Sequence, residues 1–155
     1  MRFSSNRRPA ITYLLDSSVW LALAVERHTF HASAKAFFDQ RTEPNSVPFC
    51  RATQQSFLRL LTTSSILRAY ELTTTTNQEA WELYDAIESH LKVGFIAESV
   101  DVEPFWRSFS SLKTASPKVW MDSYLAAFAI GHDHTLVTFD HDFKQFPGLK
   151  LEVIL

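Results

Sequence analysis

Two carboxylates late in the chain, Asp122 and Asp140, are placed so that a helix and a strand would bring them back together. The segment Trp120 to Phe143, WMDSYLAAFAIGHDHTLVTFDHDF, reads as a helix, a tight turn at Gly131 and a short buried strand. About ten helical residues carry the chain about 15 Å one way, and about five strand residues bring it about 16 Å back. The two acids therefore meet at one edge of a sheet. In open α/β sheets, ligands bind outside the carboxyl ends of the strands. Asp16 reaches the same edge independently, because the apolar run Ile11 to Leu15 (ITYLL) reads as a first strand that ends there. Asp142 lies two residues beyond Asp140, within reach of the same place.

Each acid alone has a structural explanation: Asp16 and Asp122 as helix caps, Asp140 as a turn residue. Together they do not fit that account. Two carboxylates about 4 Å apart repel by roughly 4 kcal/mol at an effective dielectric near 20. A cluster of three needs a divalent cation or a proton to compensate it. Hard oxygen donors without cysteine point to Mg²⁺ or Mn²⁺. Such an ion activates a water and stabilises a phosphodiester oxyanion under attack. That is the chemistry of a nuclease.

The elements that must hold these acids follow from periodicity and punctuation. Ser17 or Ser18 caps a helix running through Leu23 to Glu26. A second helix carries Phe30, Ala34, Phe37 and Phe38 and stops before Pro44. Ser46 to Cys50 reads as a second strand and Thr53 to Leu61 as the next helix, with Phe57, Leu58 and Leu61 inward. Thr73 to Thr76 is a loop, and Asn77 caps a helix with Trp81, Tyr84 and Ile87. Val93 to Ala97 reads as a third strand, and Pro104 opens a helix with Phe105, Trp106 and Phe109. Leu151 to Leu155 forms an edge strand. Strands alternating with helices mean a parallel sheet covered on both faces. With no repeat, low-complexity tract or linker, residues 1–155 read as one α/β domain, residues 1–10 being polar, basic and flexible.

Composition bounds the partners. The chain has 155 residues, enough to bury a core, with 46% apolar and 21% charged residues. A formal charge of −2 gives no broad basic field, so any nucleic-acid contact must be local. The single cysteine, Cys50, ends an apolar run and packs rather than reacts; it excludes an internal disulfide and fits a reducing cytosol. No stretch resembles a membrane span, and the apolar run after Arg7 and Arg8 is cut by Asp16, too short for a signal peptide. The protein is expected to be cytoplasmic.

Other residues have side chains capable of chemistry. Ser18, two residues after Asp16, either holds a neighbouring carboxylate or water or simply caps its helix. Arg51 and Arg59 either bind phosphate near the site or are solvated or ion-paired. His132 and His134 sit about 15 Å from Asp140 by strand rise and read as surface residues. His141, between Asp140 and Asp142, is placed to contact an RNA or a protein partner, and His28 and His31 cap or flank the first helical hairpin, packing or meeting solvent. Apolar side chains between Leu67 and Trp81 and around Trp106 suit a partner surface.

The order LLDSSVWLAL, RATQQSFLRLLT, MDSYLAAFA and LVTFDHDF resembles the PIN-domain ribonucleases, and within them the VapC toxins of bacterial toxin–antitoxin pairs, over Tyr13 to Phe146. The resemblance implies a three-layer α/β/α sandwich with a short, mostly parallel central sheet. It also implies divalent-metal-dependent endoribonuclease activity on RNA, often tRNA or rRNA. Further implications are a homodimer and inhibition by a small VapB antitoxin in the active-site groove. Asp16, Asp122 and Asp140 match the family's metal-binding aspartates, and Asp142 matches the accessory acid. One position departs from the pattern. The family usually carries a glutamate after a threonine at the start of the helix following the second strand, whereas here Thr53 is followed by Gln54. Gln54 offers a carbonyl oxygen or holds a water but brings no charge. One well-held ion is therefore expected rather than two, and Glu26 lies too far along its helix to substitute. The rivals to a VapC-like toxin are a housekeeping PIN ribonuclease without an antitoxin and a catalytically weakened module that binds RNA or protein.

Overall fold

The computed structural model describes residues 10–155. The stretch expected to be flexible, residues 1–10, lies outside the described residues except for Ala10. β1 (Tyr13–Leu15), β2 (Thr135–Thr138) and β3 (Leu151–Val153) form a sheet with β2 in the centre. Both pairings are parallel, with Leu14 opposite Leu136 and Leu136 opposite Leu151. Successive strand side chains point to opposite faces. Leu14 and Leu136 accordingly enter one apolar cluster and Leu15 and Val137 the other, all fully buried.

A sheet buried on both sides needs helices on both. The Leu15 face packs against α1 (Ser17–Ala24), α2 (His31–Asp39), α3 (Arg51–Leu61), the short α4 (Ser64–Ala69) and α5 (Asn77–Glu88). The Leu14 face packs against α6 (Val102–Ser110), α7 (Val119–Gly131) and a 3-10 turn at His141–Gln145. These are the three layers that the sequence implies. None of the described helices is long and apolar enough to cross a membrane.

Several expected elements change. The segments 46–50 and 93–97 are extended but share a single parallel bridge, Phe49 to Phe95, in place of two strands. Pro48 has no N–H to give a ladder, and Gly94 has a φ of +88°, which interrupts regular extension. Asp16, not Ser17 or Ser18, occupies the N-cap position of α1, and α1 stops at Ala24, so Glu26 lies beyond it. Helix α3 begins at Arg51, its first turn tied by Thr53 Oγ1, which accepts from the Cys50 N–H at 3.0 Å. Thr76, not Asn77, caps α5 by accepting from Glu79 N–H at 3.1 Å. Helix α6 starts at Val102, ahead of Pro104, and α4 was not foreseen. Gly131 ends α7 rather than making the turn. A Cβ there would stand 3.2 Å from Val102 Cγ2 and 3.3 Å from backbone, so glycine lets α6 and α7 approach. The turn itself falls on Asp133, with a φ of +56°.

Candidate active site at the carboxyl edge of the sheet

Asp16 follows the last residue of β1, and its N–H donates to Val137 O at 2.9 Å, the final rung toward β2. Its carboxylate does not cap α1. Instead Thr138 Oγ1 donates to Asp16 Oδ2 at 3.0 Å, while Ser17 and Ser18 Oγ make long contacts of 3.5 Å to its two oxygens. Ser18 Oγ thus lies toward the Asp16 carboxylate. Burial pushes the Asp16 carboxyl above the usual carboxylate range, and the charge of Asp140 adds to this. The hydrogen bond from Thr138 opposes it.

Asp140 sits just past β2, as its spacing requires. Its N–H donates to Thr138 Oγ1 at 3.0 Å, and its Oδ1 accepts from the Asp142 N–H at 2.8 Å. The fully buried Thr138 hydroxyl therefore ties the ends of β1 and β2 together. It donates to one acid and accepts from the backbone of the other. Sequence reasoning missed Thr138. A hydroxyl residue two positions before an aspartate, at the end of an apolar strand, is the turn signal that could have found it.

Asp122 lies in the first turn of α7, which has no side-chain cap, so capping does not explain it. Burial first, and then the charges of Asp16, Asp140 and Asp142, push its carboxyl up to about 6. The macrodipole at this helix end acts the opposite way, and burial and repulsion outweigh it. The structure thus brings all four aspartates into one electrostatic neighbourhood. Their hard oxygens suit Mg²⁺ or Mn²⁺ in type, and Asp16 and Asp122 carry excess negative charge that a cation would offset. Among the described residues, no three acidic, histidine or cysteine side chains stand at closed ligand spacing. The donors fit by type and convergence, in an arrangement wider than a closed cage.

Gln54 is buried on α3, where Arg51 Nη1 donates to its Oε1. Its side-chain hydrogen-bond partner is therefore Arg51, not an aspartate. Arg51, stacked over Phe95 at 4.7 Å, opens α3, whereas exposed Arg59 lies near its other end, about 12 Å along the axis.

The histidines correct the sequence. His134 is buried, its imidazole pulled down to about 4 by burial, and His132 is stacked on Phe128 at 4.1 Å and accepts from Ser99 N–H at 3.1 Å. Neither is the surface residue expected, because α7 returns its C-terminal end onto the sheet there. His28 stacks on Tyr70 and His31 bonds Ala22 O at 2.7 Å, both packing roles; His141 is exposed beside Asp140 and Asp142. Exposed Glu26 stands beside α2 and α5, away from the acids. Of the expected apolar surface, Leu67 is buried, while Trp81 and Trp120, beside Trp106, are exposed.

The PIN domain family matches residues 13–149 of the chain. Ribonuclease VapC41 of Mycobacterium tuberculosis is 43% identical over 142 residues, which cover 91% of this chain and 97% of that protein. Among solved structures, VapC20 of Mycobacterium tuberculosis, described as a sarcin–ricin loop cleaving toxin, aligns with a TM-score of 0.61 at 17% identity, over 90% of this chain and 99% of its own. A DNA-bound VapBC from Salmonella typhimurium aligns with a TM-score of 0.65 at 11% identity, over 92% and 98%. At those identities the two structures speak for the fold.

Proposed function

The chain belongs to the PIN-domain family, as a ribonuclease of the VapC type, and on that premise we propose that its four-aspartate edge is the hydrolytic site of a toxin. The substrate is RNA, with tRNA or rRNA as the expected class. Asp16, Asp122 and Asp140 would hold one Mg²⁺ or Mn²⁺, with Asp142 beside them. A small VapB-like antitoxin would cover the site, and the working form would be a homodimer. The observation that carries the reading is geometric: the buried Thr138 hydroxyl joins Asp16 to the Asp140 backbone at the carboxyl edge of the sheet, where the charges of both acids help to raise the Asp122 carboxyl. A structural cap would not be placed where three like charges oppose it.

When bound, the cation would offset the carboxylates and stabilise the charge developing on the phosphodiester. The chain's residues supply the frame. Thr138 fixes Asp16, the Asp142 N–H fixes Asp140, and Ser18 flanks Asp16. A phosphate, itself an anion, could not approach these acids uncompensated. A second reading, a weakened module that binds RNA or protein, is supported by Gln54, whose carbonyl is engaged by Arg51.

Cleavage of a total tRNA and rRNA pool by the purified, antitoxin-free protein separates the two. Discrete cuts with Mg²⁺ or Mn²⁺, absent with EDTA and in Asp122→Asn, are expected for the ribonuclease. No cutting with either ion would leave the binding module.

A further inference from the structure

Between Glu103 and Asp122 the chain carries Arg107, Lys113 and Lys118 and no acid, in a protein of net charge −2. This stretch folds into the end of α6, a bend and the start of α7, and encloses an open cleft of about 620 Å³. Its lining includes Arg107, Trp120, Ser110, Ser111, Thr114 and Ser116, and no acidic side chain. Arg107 is held by Glu103 at 3.0 Å. Lys113 and Lys118 are exposed and make no ion pair among the described residues.

Trp120 is 55% exposed, an unusual place for so large an apolar ring. It is nonetheless braced. Trp106 Nε1 donates to the Trp120 carbonyl at 3.0 Å, the two indoles meet edge to face at 6.2 Å, and Trp106 packs at 5.3 Å on Tyr124. A braced, exposed ring offers stacking area with little freedom left to lose. Asp122 lies two residues further along the same helix. At about 100° per residue it emerges on the other side of α7, about one helix diameter of 10 Å away. The cleft and the aspartates therefore flank one helix end.

We propose that this cleft is a nucleotide subsite, in which a base of single-stranded RNA beyond the cleaved phosphate, where the strand passes round the end of α7, stacks on Trp120. Lys113 and Lys118 neutralise the phosphates on either side. The inference rests on the ribonuclease reading of the aspartate edge. Unpaired RNA bases are recognised by stacking on aromatic rings, and every base has a face to stack. Cations beside a cleft lined by no acid favour a polyanion over an apolar peptide.

The test measures binding of a fluorescein-labelled, random-sequence single-stranded RNA pool in an Asp122→Asn background, which leaves the strand uncut. Alongside it, cleavage of the tRNA and rRNA pool is measured with Asp122 intact. Trp120→Ala is expected to weaken binding about tenfold and to raise KM more than it lowers kcat, whereas Trp120→Phe keeps most of both. Replacing Lys113 and Lys118 by Gln should flatten the salt dependence of binding by about 0.7 in log–log slope per lysine. Unchanged binding in Trp120→Ala, with the parent still cutting, would overturn the subsite and leave the ribonuclease reading standing. Absence of pool binding by the Asp122→Asn protein overturns it as well. A parent that cuts nothing, with binding lost in Trp120→Ala, would sink the ribonuclease reading and keep the stacking cleft. Matching circular dichroism and melting curves show that each variant is folded.

Discussion

The two ends of β2 both bury ionisable groups, and they do so with opposite consequences. At the amino end, His134 and its neighbour His132 are held toward the neutral form by burial, and their rings stack among Phe128 and each other. A neutral imidazole is an adequate core residue. At the carboxyl end, Asp16 and Asp122 are also pushed toward their neutral forms, but there the neighbours are acids. Burial can be relieved by packing, whereas mutual repulsion can be relieved only by a proton or a cation. A shifted titration alone therefore does not mark a site. What marks one is the group of like charges that fixed hydrogen bonds hold together.

The largest effect that would sharpen this contrast is Asp122→Asn. It should reduce RNA cleavage by at least about 100-fold while raising the melting temperature at pH 7.5, because the repulsion it relieves is structural. At the other end of β2, His134→Gln should leave cleavage close to that of the parent. An Asp122→Asn protein that is inactive and also less stable than the parent would show that the acid is structural after all.

Next in size is Thr138→Val, which keeps the shape and removes the hydroxyl that joins Asp16 to the Asp140 backbone. Leaving both partners unpaired should cost about 1–3 kcal/mol in urea unfolding. Cleavage should also fall, since the carboxylates lose their common anchor. Unchanged unfolding would mean that water replaces the hydroxyl without loss.

These residues also show what the chain discloses and what it conceals. Asp16, Asp122 and Asp140 were legible because each ends or begins an element whose length is set by apolar periodicity, so their convergence follows from rise per residue. Thr138 was hidden because a threonine ending a strand has a sufficient local reason to be there. His134 was misplaced because residues between a helix and a strand ordinarily lie on the surface, and only the close approach of α6 and α7 at Gly131 folds that turn inward. The segments 46–50 and 93–97 looked like strands by composition. Their pairing depended on Pro48 and Gly94, whose effect on a ladder shows only when the partner is known.

The pH dependence of stability should separate the two ends more finely. Asp122 has a folded pKa of about 6 against an ordinary 3.8, so its contribution is fully present below 3.8 and is lost as pH rises through 6. Asp16 acts in the same sense. His134 has a folded pKa of about 4 against 6.5, so its contribution is present above 6.5 and is lost as pH falls through 4. Between about pH 4 and 6.5 the two oppose each other, and the parent profile should be shallow. Asp122→Asn should make stability fall more steeply on acidification, and His134→Gln should let it rise. Three parallel profiles, measured without divalent cation, would break the comparison.

The smallest expected effect is at Gln54. Changing it to Glu would restore the charge usual in the family, but the structure places that charge against Arg51. Arg51 would take up much of it as an ion pair, shielding it from the aspartates. Gln54→Glu is therefore expected to strengthen Mn²⁺ binding and raise cleavage by less than about tenfold, far below the Asp122→Asn effect. Isothermal titration of the parent and the variant with Mn²⁺ would decide. A gain of 100-fold or more would show that residue 54 turns from Arg51 toward the aspartates once it is charged. The carboxyl end of β2 would then owe its cation affinity to a fourth element, α3, as well as to the ends of β1, β2 and α7.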